Sequence, residues 1–139
     1  MQHADTIHIE LPAKCENLAL IRSVLAAIME KVSDVDDLAD LVYNIQLAIH
    51  EICLNIIQHA YGHENGAIQI DIELSRDMRS INVNIYDSGQ PFDIYAIVDP
   101  NLDEPQAYGY GLFIAKQLMD TLEYHPSPCA NHWRLQKRF

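Results

Sequence analysis

Positive charge is what this chain has least of. Nine Lys and Arg stand against twenty Asp and Glu in 139 residues, a formal net charge of −11. That balance argues against nucleic acid or an anionic membrane as the main partner, because both need a basic footprint. It leaves room for a nucleotide, whose phosphates can be held by backbone N–H groups, a helix N-terminus and Mg²⁺. Cysteine is scarce and unpaired in pattern. Cys15, Cys53 and Cys129 lie far apart and form no CxxC, as expected of reduced thiols in a cytoplasmic protein. Long hydrophobic runs are missing too. The longest purely apolar run in the first predicted helix, Val24 to Met29, is far too short to span a bilayer. The opening MQHADTIHIE has no basic or apolar leader segment, so no secretory signal is expected. There are no repeats, low-complexity segments or linkers. The expectation is a single domain over residues 1–139.

What is present is a globular composition, 49% hydrophobic and 21% charged, with two clear periodicities. Thr6 to Leu11 alternates, with Ile7, Ile9 and Leu11 on one side, and Pro12 should end this strand. From about Ala13 to Val32 the period becomes helical, with Leu18, Ile21, Leu25, Ile28, Met29 and Val32 in one stripe. Asp34, Asp36, Asp37 and Asp40 then suit the start of a second helix, by capping and by their fit to its positive end. That helix runs to about Tyr61, and Gly62 and Gly66 mark its stop. Ile68, Ile70, Ile72 and Leu74 alternate with polar residues, as do Ile81, Val83 and Ile85 after the turn SRDMRS. The pair predicts an antiparallel hairpin with one face covered by helices. Ile94 to Tyr108 has no sustained period and reads as a functional loop or lid. A helix from Gly109 to about Asp120 and strands near Leu122 to His125 and Asn131 to Lys137 complete the chain, with Trp133 and Leu135 facing inward. The order β-α-α-β-β-loop-α-β-β predicts an α+β, two-layer sandwich. Its sheet should be mixed and mostly antiparallel, with the helices on one face.

The second helix carries the most chemistry. Ile45, Ile49, Ile52, Cys53, Ile56 and Ala60 make its buried stripe, while Glu51, Asn55 and His59 recur at i, i+4, i+8 on another face. Three polar residues facing water is the plain explanation. A general base beside a metal ligand is the functional one. His50-Glu51 does not open a zinc motif, because HExxH would need a second histidine where Leu54 stands. Cys53 falls on the buried stripe and reads as core. The GYG of residues 109–111 fits either a phosphate-facing turn or an ordinary one.

Taken together, E-x3-N-x3-H-A-Y on a helix, D-x-G-x-P-F after a strand, an aperiodic loop and G-x-G-L-F at a helix start come in that order. This combination resembles the GHKL ATP-binding fold and, within it, the anti-sigma-factor serine kinases of bacterial partner-switching systems. The resemblance runs from the first strand to WRLQKRF. It implies ATP and Mg²⁺ as cofactors, a small anti-anti-sigma protein as substrate and a sigma factor as the sequestered partner. It also offers the first strand and early helix as a homodimer face. By the same resemblance Glu51 matches the general base, Asn55 the Mg²⁺ ligand and Asp87 the acceptor for the adenine amino group. Gly89 would let the chain pass close to the base. Gly109 and Gly111 would turn N–H groups to the phosphates. His59, Phe92 and Leu112 complete the expected ATP-binding set, with Ala60 and Tyr61 packing. Pro91 supports the narrower placement. The loop at 94–108 has none of the arginines that relatives carry, and Lys116 stands where they tend to have arginine. Two other outputs fit the motifs: an ATP-binding module that sequesters a partner without phosphorylating it, and a switch kinase acting on a scaffold protein. The threonine that often touches adenine in the late strands has no counterpart here, and Asn131 and His132 occupy that neighbourhood.

Overall fold

The computed structural model describes residues 4–91 and 110–139. Five strands, β1 (Ala4–Pro12), β2 (Ala67–Ser75), β3 (Ser80–Asp87), β4 (Thr121–His125) and β5 (Asn131–Arg138), form one sheet in the order β1-β2-β3-β5-β4. Every neighbouring pair is antiparallel, so the sheet expected to be mixed is uniform among the described residues.

The register turns the period-2 alternation into a face. Ile7, Ile72, Val83, Leu135 and Leu122 lie side by side across all five strands, and the next inward row is Ile9, Ile70, Ile85, Trp133 and Tyr124. On the opposite face His8, Asp71, Asn84, Arg134 and Glu123 make one row. A one-residue slip in any strand would exchange these faces, so burial fixes the pairing. On the outer face His132 stacks on Tyr86 at 4.5 Å and donates through Nε2 to Asn84 Oδ1 at 2.7 Å. Burial, then the neighbouring His125 and Arg134, hold its pKa below the ordinary value.

Among the described residues three helices complete the layers: α1 (Leu18–Met29), α2 (Leu38–Asn55) and α3 (Tyr110–Leu118). Leu25 and Met29 of α1, Ile45, Ile49 and Ile52 of α2, and Leu112 and Ala115 of α3 join the inward strand residues in one buried core. Helix α2 is the middle of this layer and packs against both others.

Two local expectations are corrected. Helix α1 begins at Leu18, not near Ala13, because Cys15–Asn17 form a 3₁₀ turn in which Asn17 Nδ2 donates to the Pro12 carbonyl at 2.8 Å. Pro12 ends β1, as expected. As β1 is an edge strand, the missing N–H interrupts no inner ladder. The acids before α2 make no side-chain cap. Asp37 adopts φ +54°, its carbonyl accepts the Asp40 and Leu41 N–H groups, and Asp40 adds its charge in the first turn. No helix among the described residues is long and apolar enough to cross a membrane.

Candidate nucleotide site

The α-helical part of α2 stops at Asn55, and Ile56–Ala60 continue as a π turn. An inserted residue of this kind lets a helix end meet a neighbour that regular winding would miss. Here the neighbour is the turn after β3. Gln90 N–H donates to the Ala60 carbonyl at 2.7 Å, and a Cβ on Gly89 would stand 2.5 Å from that same oxygen. The close approach seen at Gly89 is therefore to the helix end, where the sequence suggested an approach to a bound base. Tyr61 ties the same corner. Its hydroxyl donates to the Ala67 carbonyl at 2.7 Å and accepts the Ser88 N–H at 2.9 Å. Gly62, with φ +58°, then ends the helix, as its sequence position suggested.

The π turn also alters the expected polar face. Glu51 is half-buried and Asn55 buried, but His59 is exposed, so the regular i, i+4, i+8 stack does not extend past Asn55. Ala60 is buried and Tyr61 packs against the core, as expected.

Asp87 ends β3 and is 3% exposed. A carboxylate this deep needs donors. Its Oδ1 accepts the Gly89 N–H at 2.9 Å and the Asn131 amide at 2.9 Å. Its Oδ2 accepts one longer bond, from Trp133 Nε1 at 3.4 Å. Asn131 also donates to the Gly89 carbonyl at 3.0 Å, so one amide clamps both ends of the Asp87–Gly89 turn. The Asn131 Oδ1 is buried and has no hydrogen-bond partner among the described residues. Asp87 Oδ2 has acceptor capacity left for an exocyclic amino group, and Asn131 Oδ1 is a second unused acceptor beside it. Sequence reasoning gave Asn131 no role. The available signal was a polar residue at an inward position of a strand, two before Trp133.

Thirty-odd residues earlier in the chain the site has a different character. Asn55 Nδ2 donates to the Glu51 carbonyl at 2.7 Å, so its nitrogen is committed to the helix and its oxygen is the atom suited to a hard cation. The Glu51 carboxylate lies against the first turn of α3. A Cβ on Gly111 would collide with its Oε2. Gly111 takes no positive φ, and a glycine inside a helix costs roughly 0.5–1 kcal/mol relative to alanine. The contact with Glu51 gives a reason for it. Leu112 is fully buried, so any contact with a ligand would come from its backbone. Phe92 and Gly109, with the loop expected at 94–108, lie outside the described residues.

Among the described residues no three His, Cys, Asp or Glu side chains converge on a metal position. Cys53 is fully buried, and burial pushes its thiol pKa up to about 12, so it is core and not a nucleophile. A cleft of about 650 Å³ opens beside the Tyr61 corner, lined in part by Ser88, Pro91, Pro126 and Pro128. Ala60, Tyr61 and Gly89 of the motifs line it as well, while Glu51, Asn55 and Asp87 are not among its lining residues.

Residues 11–137 match the family described as the histidine kinase-like ATPase domain. This chain belongs to that family. Two curated relatives place it more closely. A serine-protein kinase RsbW of Bacillus cereus is 32% identical over 133 residues, covering 88% of this chain and 79% of its own. The RsbW of Bacillus mycoides is 30% identical over 132 residues with the same coverage. Among solved structures, the RsbU and RsbW domains of a Mycobacterium tuberculosis protein superpose with a TM-score of 0.69 at 19% identity. That match covers 96% of this chain, which spans about a third (32%) of the longer one, and it shows the shared fold. Within the histidine kinase-like ATPase family, this chain is a member of the branch of RsbW serine-protein kinases.

Proposed function

We propose that this protein is an ATP-dependent protein serine kinase and anti-sigma factor, which phosphorylates a small anti-anti-sigma protein and sequesters a sigma factor. The observation that carries the proposal is the pairing of two ends on one helix. Glu51 and Asn55 stand one turn apart at one end, and the Asp87–Asn131 clamp meets the same helix at Ala60. Glu51 and Ala60 are nine residues apart along this helix, a separation on the order of 10 Å, so the two groups stand at separate places on it. Asp87 Oδ2 accepts the adenine amino hydrogen. Backbone N–H groups at the first turn of α3 are the proposed donors to the phosphates.

Asn55 fits Mg²⁺ through its amide oxygen, with the ATP phosphates and water supplying the remaining ligands; the ion would neutralise charge on the transferring group. In the reaction the partner's serine oxygen forms a bond to the γ-phosphorus as the bond to the β-bridging oxygen breaks. Glu51 takes the serine proton, and ADP leaves. The first strand and early helix are the proposed homodimer face; β1 lies at the sheet edge and Leu20 on α1 is half exposed. A second reading, an ATP-binding module that holds its partner without phosphorylating it, is favoured by one feature, the absence of arginine from residues 94–108.

Glu51→Gln separates the two. It keeps the size of the side chain and removes the base. Phosphotransfer to the partner should fall by a factor on the order of 10² to 10⁴, while ATP affinity holds or improves slightly, because an anion is removed from beside an anionic ligand. Partner binding should survive. Wild type that binds its partners but transfers nothing, with Glu51→Gln binding them equally well, would leave the sequestering module as the reading.

A further inference from the structure

We propose that Gly111 is a positioning residue for Glu51, and that its missing Cβ is the seat against which the Glu51 carboxylate is held. The plain account of a glycine here is close approach of the backbone to phosphate. The geometry points to a second duty. A Cβ on Gly111 would fall on Glu51 Oε2, within 3.1 Å of Cδ and 3.6 Å of Cβ, so it would displace the carboxylate itself. The backbone does not ask for glycine, since residue 111 has no positive φ and alanine is the better helix former. The neighbouring Leu112 is locked in the core, and α2 and α3 pack directly on each other, so neither helix can step back to make room. The Asn55 amide is hydrogen-bonded to the Glu51 backbone carbonyl, so it is held independently of the carboxylate, which rests against α3. Displacing it would change its distance to the serine hydroxyl while leaving the Asn55 amide in place.

The kinetic arm of the test rests on the kinase reading, and the spectroscopic arm on geometry alone. Gly111→Ala should lower the phosphotransfer rate roughly 10- to 100-fold, less than the roughly 10² to 10⁴ expected when the base is removed outright, with Mg²⁺-ATP affinity changed by less than about threefold, the signature of a loss confined to the transition state. Shortening the base to Asp should make room for the new methyl. Gly111→Ala/Glu51→Asp should then be at least about tenfold faster than the product of the two single losses predicts. The carboxyl ¹³C resonance of Glu51, assigned by its loss in Glu51→Gln, should move in Gly111→Ala. If Gly111→Ala weakens ATP binding in proportion to transfer, and equally when Glu51 is Gln, the glycine serves the phosphates and the proposal falls. An unmoved Glu51 resonance also overturns it. If wild type transfers no phosphate at all, the kinase reading fails separately, and the resonance alone decides the seat.

Discussion

Asp87 ends a central strand, and donors from its own turn and from β5 reach both its oxygens. Glu51 stands on a helix, with its carboxylate against the first turn of another. A short side chain held by three fixed donors has little freedom, whereas a glutamate has more rotamers to lose and is restrained here mainly by packing. The contrast matches the two tasks assigned to them. Reading a base needs acceptors fixed before the ligand arrives, because discrimination comes from leaving the wrong ligand's groups unpaired. Accepting a proton needs a carboxylate placed within a hydrogen bond's reach of a hydroxyl brought by another protein.

That contrast can be broken at the Asp87 end first. Asp87→Asn should weaken ATP roughly 10- to 100-fold, the effect of an unmade hydrogen bond to a buried polar group. An asparagine that keeps its oxygen toward Gly89 and Asn131 must turn its NH₂ toward Trp133 and the adenine amine, placing a donor against donors. Calorimetry checks this, and an unchanged ATP affinity would remove Asp87 from the base-reading role.

A smaller effect is expected at Asn55. Asn55→Ala should reduce ATP affinity about tenfold when Mg²⁺ is present and leave Mg²⁺-free binding nearly unchanged, because only the former uses the amide oxygen. Equal losses in both would point to a folding defect, which circular dichroism would reveal.

A third change sharpens the comparison from the framework side. Asn131→Ala removes two donors, from Asp87 and from the Gly89 carbonyl, and should destabilise the fold by about 1–3 kcal/mol. Urea unfolding measures it. A stability loss with no loss of ATP affinity would show that the clamp holds the turn without setting the Asp87 acceptor.

Most of the frame was legible in the sequence because it is written in short periods. Alternating Ile and Val over residues 68–74 and 81–85, and the stripe from Leu18 to Val32, each depend on neighbours within a few positions. The parts that were not legible depend on distant partners. IIQHA carries no local sign of a π turn; its widening coincides with the meeting of Ala60 with Gly89 and Gln90, some thirty residues on. Asn131 becomes a site residue only when β5 pairs with β3 and sets it beside Asp87, 44 positions earlier. Gly111 could be read as a phosphate-box glycine from its motif, but its contact with Glu51 exists only once α2 and α3 pack.

The most direct test is to give wild-type protein Mg²⁺, the proposed anti-anti-sigma partner and either γ-labelled ATP or γ-labelled GTP, and to look for labelled phosphoserine on the partner. The account predicts label from ATP and little from GTP, whose six-position is an acceptor that would face the Asp87 carboxylate. Equal labelling from both nucleotides would contradict the role of Asp87, and no labelling from either, with the partner still bound, would contradict the kinase.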